Sequence, residues 1–176
     1  EILTEESFAG TGFLAEVCQA WEKAADPARA AGIRVVHPRF GLILAPHGGA
    51  LKPLLLPFKL GLGGVIGSGR QWWSWITLQD VIRGLEFLLR ADDLAGPMNF
   101  TAPHPVTNRD FVKALGKALG RPAILPLPGF IARLMLGEMA QELILSGQCV
   151  HPTKLMHSGF QYQDSYLKEG FERVLA

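Results

Sequence analysis

Apolar residues follow two periods along this chain. Spacings of three and four predict helices, and short runs bounded by glycine or proline predict strands. Phe13, Leu14, Val17, Cys18 and Trp21 predict one amphipathic helix over about residues 12–30. Ile33 to Leu44 reads as a strand running into a second extended piece, with Pro38 counting against a simple central strand throughout. His47 to Ala50 opens a loop, and the helix expected after it holds Leu51 and Leu54 to Leu56. Gly61, Gly63, Gly64, Gly67 and Gly69 mark another loop, and interleaved Leu62, Val65 and Ile66 argue that it is packed. Trp72 to Ile76 is a short strand, whose alternation puts Trp73 and Trp75 on one face and Trp72 on the other.

Thr77 is placed to cap the next helix, with Asp80 at the third helical position as a variant of the reciprocal capping box. Leu78, Val81, Ile82, Leu85, Leu88 and Leu89 form its expected buried face. Met98 to Thr101 is a strand. Thr107 caps another helix, with Phe111, Val112, Leu115, Ala118 and Leu119 inward, and Gly120-Arg-Pro ends it. A strand is expected over Ala123 to Leu127, then helical runs over about 129–136 and 138–147. A short helix over Pro152 to His157 and a last one over about 164–175, with Leu167, Phe171 and Val174 inward, complete the pattern. Helices alternate with short strands, so the fold class is α/β.

Composition narrows the function classes. With 48% hydrophobic and 19% charged residues, the chain suits one compact domain or part of a larger one. A net charge of +1 leaves no electrostatic footprint for nucleic acid. No apolar run is long enough to predict a membrane span, and the acidic opening Glu1 to Ser7 is unlike a signal peptide. Cys18 and Cys149 form no C-x-x-C pair and read as free thiols in a reducing, cytoplasmic compartment. His37, His47, His104, His151 and His157 show no metal-ligand spacing, so no metal is expected. Glu138 and Glu142, one helical turn apart, fit a solvated face as well as they fit chemistry. The first residues read like the middle of a loop, which leads us to expect a fragment.

Ala9-Gly10-Thr11-Gly12-Phe13-Leu14-Ala15 imitates a glycine-rich phosphate turn. That turn needs a buried strand before it and a third glycine for close helix packing. Leu3 to Phe8 is polar and Ala15 fills the third position, so a plain helix entry is expected here.

Gly67-Ser-Gly-Arg-Gln-Trp-Trp-Ser-Trp-Ile-Thr-Leu-Gln-Asp-Val81 resembles the G-x-G-x-Q-x-R-x-F-x-x-V-x-D-V segment of extended short-chain dehydrogenases/reductases, the NAD-dependent epimerase/dehydratase family. Arg39-Phe-Gly-Leu-Ile-Leu-Ala-Pro46 resembles that family's R-P-x-N-V-Y-G-P segment. Cys18-Gln-Ala-Trp-Glu22, Trp73-Ser-Trp-Ile76 and Asn99-Phe-Thr-Ala-Pro103 are similar to an epimerase-like branch, some of whose members are labelled cell-division inhibitors.

The resemblance implies the C-terminal portion of an extended Rossmann-type, doubly wound fold with a small helical substrate-side subdomain. Residues 1–50 would complete the nucleotide-binding domain. Residues 51–176 would be mainly the substrate-side part, with a stretch near 70–104 returning to the first. The phosphate-binding turn would lie upstream of Glu1. The implied cofactor is NAD or NADP, with NADP slightly favoured, and Arg39, Phe40, Gly41, Leu42 and Ile43 would meet its nicotinamide end.

The family's Tyr-x-x-x-Lys dyad is absent. The tyrosines are Tyr162 and Tyr166, and alignment on Glu22 places Leu14 and Cys18 at the dyad positions. No catalytic residue is therefore assigned. Leu42 stands where sugar-nucleotide enzymes place Asn, and Trp73 where they place a diphosphate-clamping Arg, which an indole cannot replace. We expect a small, fairly apolar substrate near Leu42, Lys52, Arg70, Trp72 and Trp73, in a monomer or homodimer. The alternative is a non-catalytic dinucleotide-binding sensor or scaffold.

Overall fold

The computed structural model describes residues 1–49, 51–125 and 147–176. The N-terminal segment forms β1 (Ile2–Leu3), α1 (Phe13–Lys23) and α2 (Asp26–Ala30). The long helix expected over this stretch is thus two helices. Pro27 occupies the first turn of α2, where its missing N–H costs nothing, and it could not have continued α1.

Next come β2 (Val36–Phe40), β3 (Leu42–Ala45), β4 (Gly48–Gly49) and α3 (Lys52–Lys59). The indole-rich stretch splits into β5 (Trp72–Trp73) and β6 (Trp75–Thr77) and leads into α4 (Leu78–Arg90). Then follow β7 (Gly96–Phe100), β8 (Val106–Thr107), α5 (Asn108–Ala118), β9 (Cys149–Val150), α6 (Thr153–His157) and α7 (Leu167–Val174).

Pairs of strands distant in sequence run parallel: β2 with β7, β3 with β6, and β1 with β9. Residues near 96–100 therefore return to lie beside residues 36–40, with Phe40 opposite Phe100. Gly41 is where the chain changes partner. Its N–H donates to the Phe100 carbonyl at 3.1 Å, and the next N–H, of Leu42, donates to Ser74 at 2.7 Å. A Cβ on Gly41 would stand 2.5 Å from the Ser74 carbonyl oxygen, so only glycine fits.

Pro38 lies inside β2 after all, and the ladder explains why. The Val35 carbonyl and the Gly41 N–H both face β7. By the period of two, residues 36, 38 and 40 direct their backbone groups to the opposite edge, so Pro38 removes no bond to β7.

The core has two clusters. One joins Leu44, Leu51, Phe58, Trp73, Trp75, Phe111 and Phe171. The other joins Ile76, Val81, Leu88, Met98, Phe100, Leu155 and Phe160 beneath α4 and α6. Gly84 lets α4 approach closely, since a Cβ there would meet the Phe100 ring at 2.7 Å.

The caps form as expected at α5, where the Thr107 hydroxyl accepts from the Asp110 N–H. At α4 half of the box forms. Thr77 Oγ1 accepts from the Asp80 N–H at 3.4 Å, but the Asp80 carboxylate turns to the C-terminal segment. Of the expected α4 face, Val81 and Leu88 are buried, while Leu78, Ile82, Leu85 and Leu89 are exposed. In α5, Phe111, Val112 and Leu115 are buried and Ala118 is exposed.

The expected strand at 123–127 is irregular over its described residues 123–125, although the Leu125 N–H donates to Gly63 at 3.2 Å. Its last two residues, the expected runs over 129–136 and 138–146, and Glu138 and Glu142 lie outside the described residues. Among the described residues, no helix is long and apolar enough to cross a membrane.

Candidate functional site

In a sheet with parallel strands, ligands bind beyond the carboxyl ends of the strands. Here those ends are Phe40 to Leu42 on one strand and Phe100 to Ala102 on its neighbour. Phe40 is exposed and meets Phe100 edge-on, with ring centroids 5.4 Å apart. Leu42 and Ile43 are half-buried against different core clusters. The five residues expected at the cofactor are thus the end of β2, Gly41 and the start of β3, with the exposed Phe40 ring just before the glycine.

Arg39 has a partner that its sequence neighbourhood did not reveal. Its Nε donates to Glu22 Oε1 at 2.6 Å and its Nη2 to Oε2 at 2.8 Å. This two-point contact draws the Glu22 carboxyl below its usual range and holds the Arg39 guanidinium above its own. Cys18 is exposed within Arg39's electrostatic reach.

The residues expected at the substrate do not converge. Trp73 is buried, its ring edge-on to Phe111 at a centroid distance of 4.9 Å, and belongs to the core with Trp75. The Trp75 indole N–H donates to the His104 carbonyl at 3.0 Å. Lys52 and Arg70 are exposed. Only Trp72 of this group lines a cavity of about 480 Å³, with Pro103, His104, Pro105, Cys149 and His151. Sequence reasoning missed these companions because they lie in loops and a two-residue strand with no period to follow. Cys149 there is buried, which raises its thiol pKa and makes it a poor nucleophile.

The buried carboxylates of Asp80 and Glu5, like that of Asp164, carry structure. Asp80 accepts from the N–H groups of Gln163 and Asp164, both at 2.9 Å, and from Arg83 at 2.8 Å. Glu5, 6% exposed, accepts from the N–H groups of Asn99 and Lys154 at 3.0 and 3.3 Å. Nothing in the acidic run Thr4-Glu5-Glu6-Ser7 tells which glutamate turns inward. Burial and the nearby Asp80 and Glu5 push the Tyr162 phenol far above its usual value.

The surroundings of Phe40 to Leu42 suit a flat, partly apolar group laid against main chain. The described residues include no glycine-rich phosphate turn between a strand and a helix.

A family model described as a domain of unknown function, DUF1731, matches residues 127–174. An epimerase family protein of Mycobacterium bovis is 45% identical over 168 residues, which cover 96% of this chain and 56% of that protein. The crystal structure of human epimerase family protein SDR39U1 (isoform 2) with NADPH matches with a TM-score of 0.92 and 35% identity, covering 99% of this chain and 59% of that one. A nucleoside-diphosphate sugar epimerase from Corynebacterium glutamicum matches with a TM-score of 0.78 and 34% identity, covering 99% of this chain and 33% of that one. The chain spans little more than half the length of the mycobacterial and human relatives.

Proposed function

Because this chain is the C-terminal part of an extended short-chain dehydrogenase/reductase of the epimerase family, we propose that the whole protein is an NAD(P)-dependent, epimerase-like protein of the cytoplasm. The observation that carries this reading is the close likeness, at a TM-score of 0.92, to a relative solved with NADPH. The same likeness favours NADP over NAD. Bound dinucleotide would supply hydride chemistry. Arg39 to Ile43 would present main chain and the Phe40 ring to its nicotinamide end, and an upstream segment would hold its phosphates.

The substrate would be small and fairly apolar. Leu42 offers no amide to a sugar hydroxyl, and Trp73 offers no guanidinium to a diphosphate. Trp72, Arg70 and Lys52 remain on the surface as groups that could reach it. Titration of the full-length protein with NADPH and NADH, followed by nicotinamide fluorescence, tests the reading. Saturable binding, tighter for NADPH, is expected; binding of neither dinucleotide sinks it.

A second reading, a dinucleotide-binding sensor without turnover, is favoured by Leu14 and Cys18 at the dyad positions. Oxidation or reduction of the dinucleotide with any carbonyl or sugar substrate would end it.

A further inference from the structure

No residue of α1 is buried, and Phe13 and Trp21 are 77% and 75% exposed. Apolar packing among the described residues therefore does little to fix this helix. Its polar link to the sheet is the fork from Arg39 to Glu22.

An exposed ion pair ordinarily contributes little. This one differs in two respects. Its two bonds run in parallel and so fix direction as well as distance. Its carboxylate is also partly withdrawn from water, at 30% side-chain exposure. Further charges flank it: Arg29 pairs with Asp26 at 2.7 Å, and its Nη2 lies 3.1 Å from His37 Nε2.

The fork joins two places that matter under the reading above. Leu14, Cys18 and Glu22 are four residues apart in turn and lie along one side of α1. Arg39 stands next to last in β2, immediately before the turn at Gly41. We propose that the side chains of Glu22 and Arg39 are a positioning pair: they set the Leu14–Cys18 side of α1 against the carboxyl end of β2, and so shape the nicotinamide end of the dinucleotide site without themselves touching the dinucleotide, which meets only the main chain at Arg39. This inference rests on the dinucleotide-binding reading.

The test uses the full-length protein and three variants: Glu22→Gln, Arg39→Lys and, as a neighbouring control, Lys23→Gln. Dissociation constants for NADPH and NADH are measured by nicotinamide fluorescence, and melting temperatures are recorded alongside. Arg39→Lys is the sharper probe, because it keeps the charge and loses the two-point geometry. Glu22→Gln and Arg39→Lys should each weaken binding about tenfold, because the competent arrangement is populated less. The emission maximum of bound nicotinamide should shift as its surroundings loosen, and Lys23→Gln should change neither readout. Unchanged affinity in both fork variants overturns the inference and leaves the dinucleotide reading standing. Affinity that falls only in step with melting temperature, or falls equally in Lys23→Gln, also overturns it. Failure of the unmodified protein to bind dinucleotide overturns the reading beneath it instead.

Discussion

Gly41 shows how one residue can serve both fold and site. It lies where the chain leaves one partner strand for another, with the Ser74 carbonyl 2.5 Å from where a Cβ would stand. Backbone cannot swing aside as a side chain can, so Gly41→Ala should cost about 1–3 kcal/mol, read from urea denaturation midpoints. Tyr162 makes a different prediction. Its hydroxyl is buried and finds no hydrogen-bond partner among the described residues. Burial first, then Asp80 and Glu5, raises its pKa in the fold. A raised value means that the folded state holds the proton more tightly. The stabilisation is therefore complete below the ordinary phenol pKa of about 10 and is lost as pH rises beyond it. Tyr162→Phe should be neutral or slightly stabilising at neutral pH and should flatten the alkaline loss. Denaturation midpoints across that range would show it, and an unchanged alkaline slope would contradict it.

Helices α4 and α5 were legible because their signals are local. Thr77 and Thr107 mark the starts, and the apolar period gives the lengths. The α1–α2 break was less visible: the apolar positions that mark the first helix end at Trp21, and the alanine-rich stretch around Pro27 gives no period of its own. Which apolar side chains are covered was legible in α5, where Phe111, Val112 and Leu115 are buried, but only in part in α4. Leu88 and Leu89 are chemically identical neighbours, yet one is buried and the other 78% exposed. Leu88→Ala should therefore cost about 2–5 kcal/mol. Leu89→Ala should cost no more than about 0.5 kcal/mol in this chain, by the same denaturation measurement. At the site, resemblance picked out Arg39, but not its bond to Glu22, because 17 residues separate them and no period joins them. Trp73 was misleading for the opposite reason: its alternation with Trp72 was readable, but which side faced the core was not.

Across the whole molecule, segments far apart in sequence are joined at buried carboxylates. Asp80 holds residues 163 and 164, and Asp164 in turn accepts from Thr77 and Arg173, both at 2.9 Å. Asp80→Ala strands two backbone N–H groups and uncouples the C-terminal helix from α4. It should cost about 3 kcal/mol or more, because a buried, charge-assisted set loses its acceptor. Amide hydrogen exchange at Gln163 and Asp164 should quicken well beyond the change elsewhere. Uniform quickening would mean that Asp80 acts on global stability and does not serve as a local staple.

The proline in β2 has a further consequence for how this sheet can grow. A strand edge with every amide in place is a template that another copy of itself can extend indefinitely. On the side away from β7, Pro38 leaves the middle of the five-residue strand without a donor. A flat copy laid against that edge would meet a gap at its centre, in any register that centres the two strands on each other. Only a strand whose own acceptors avoid that position can complete a ladder there. The same residue that leaves the bonds to β7 intact therefore makes this edge selective about its partners and a poor seed for runaway stacking.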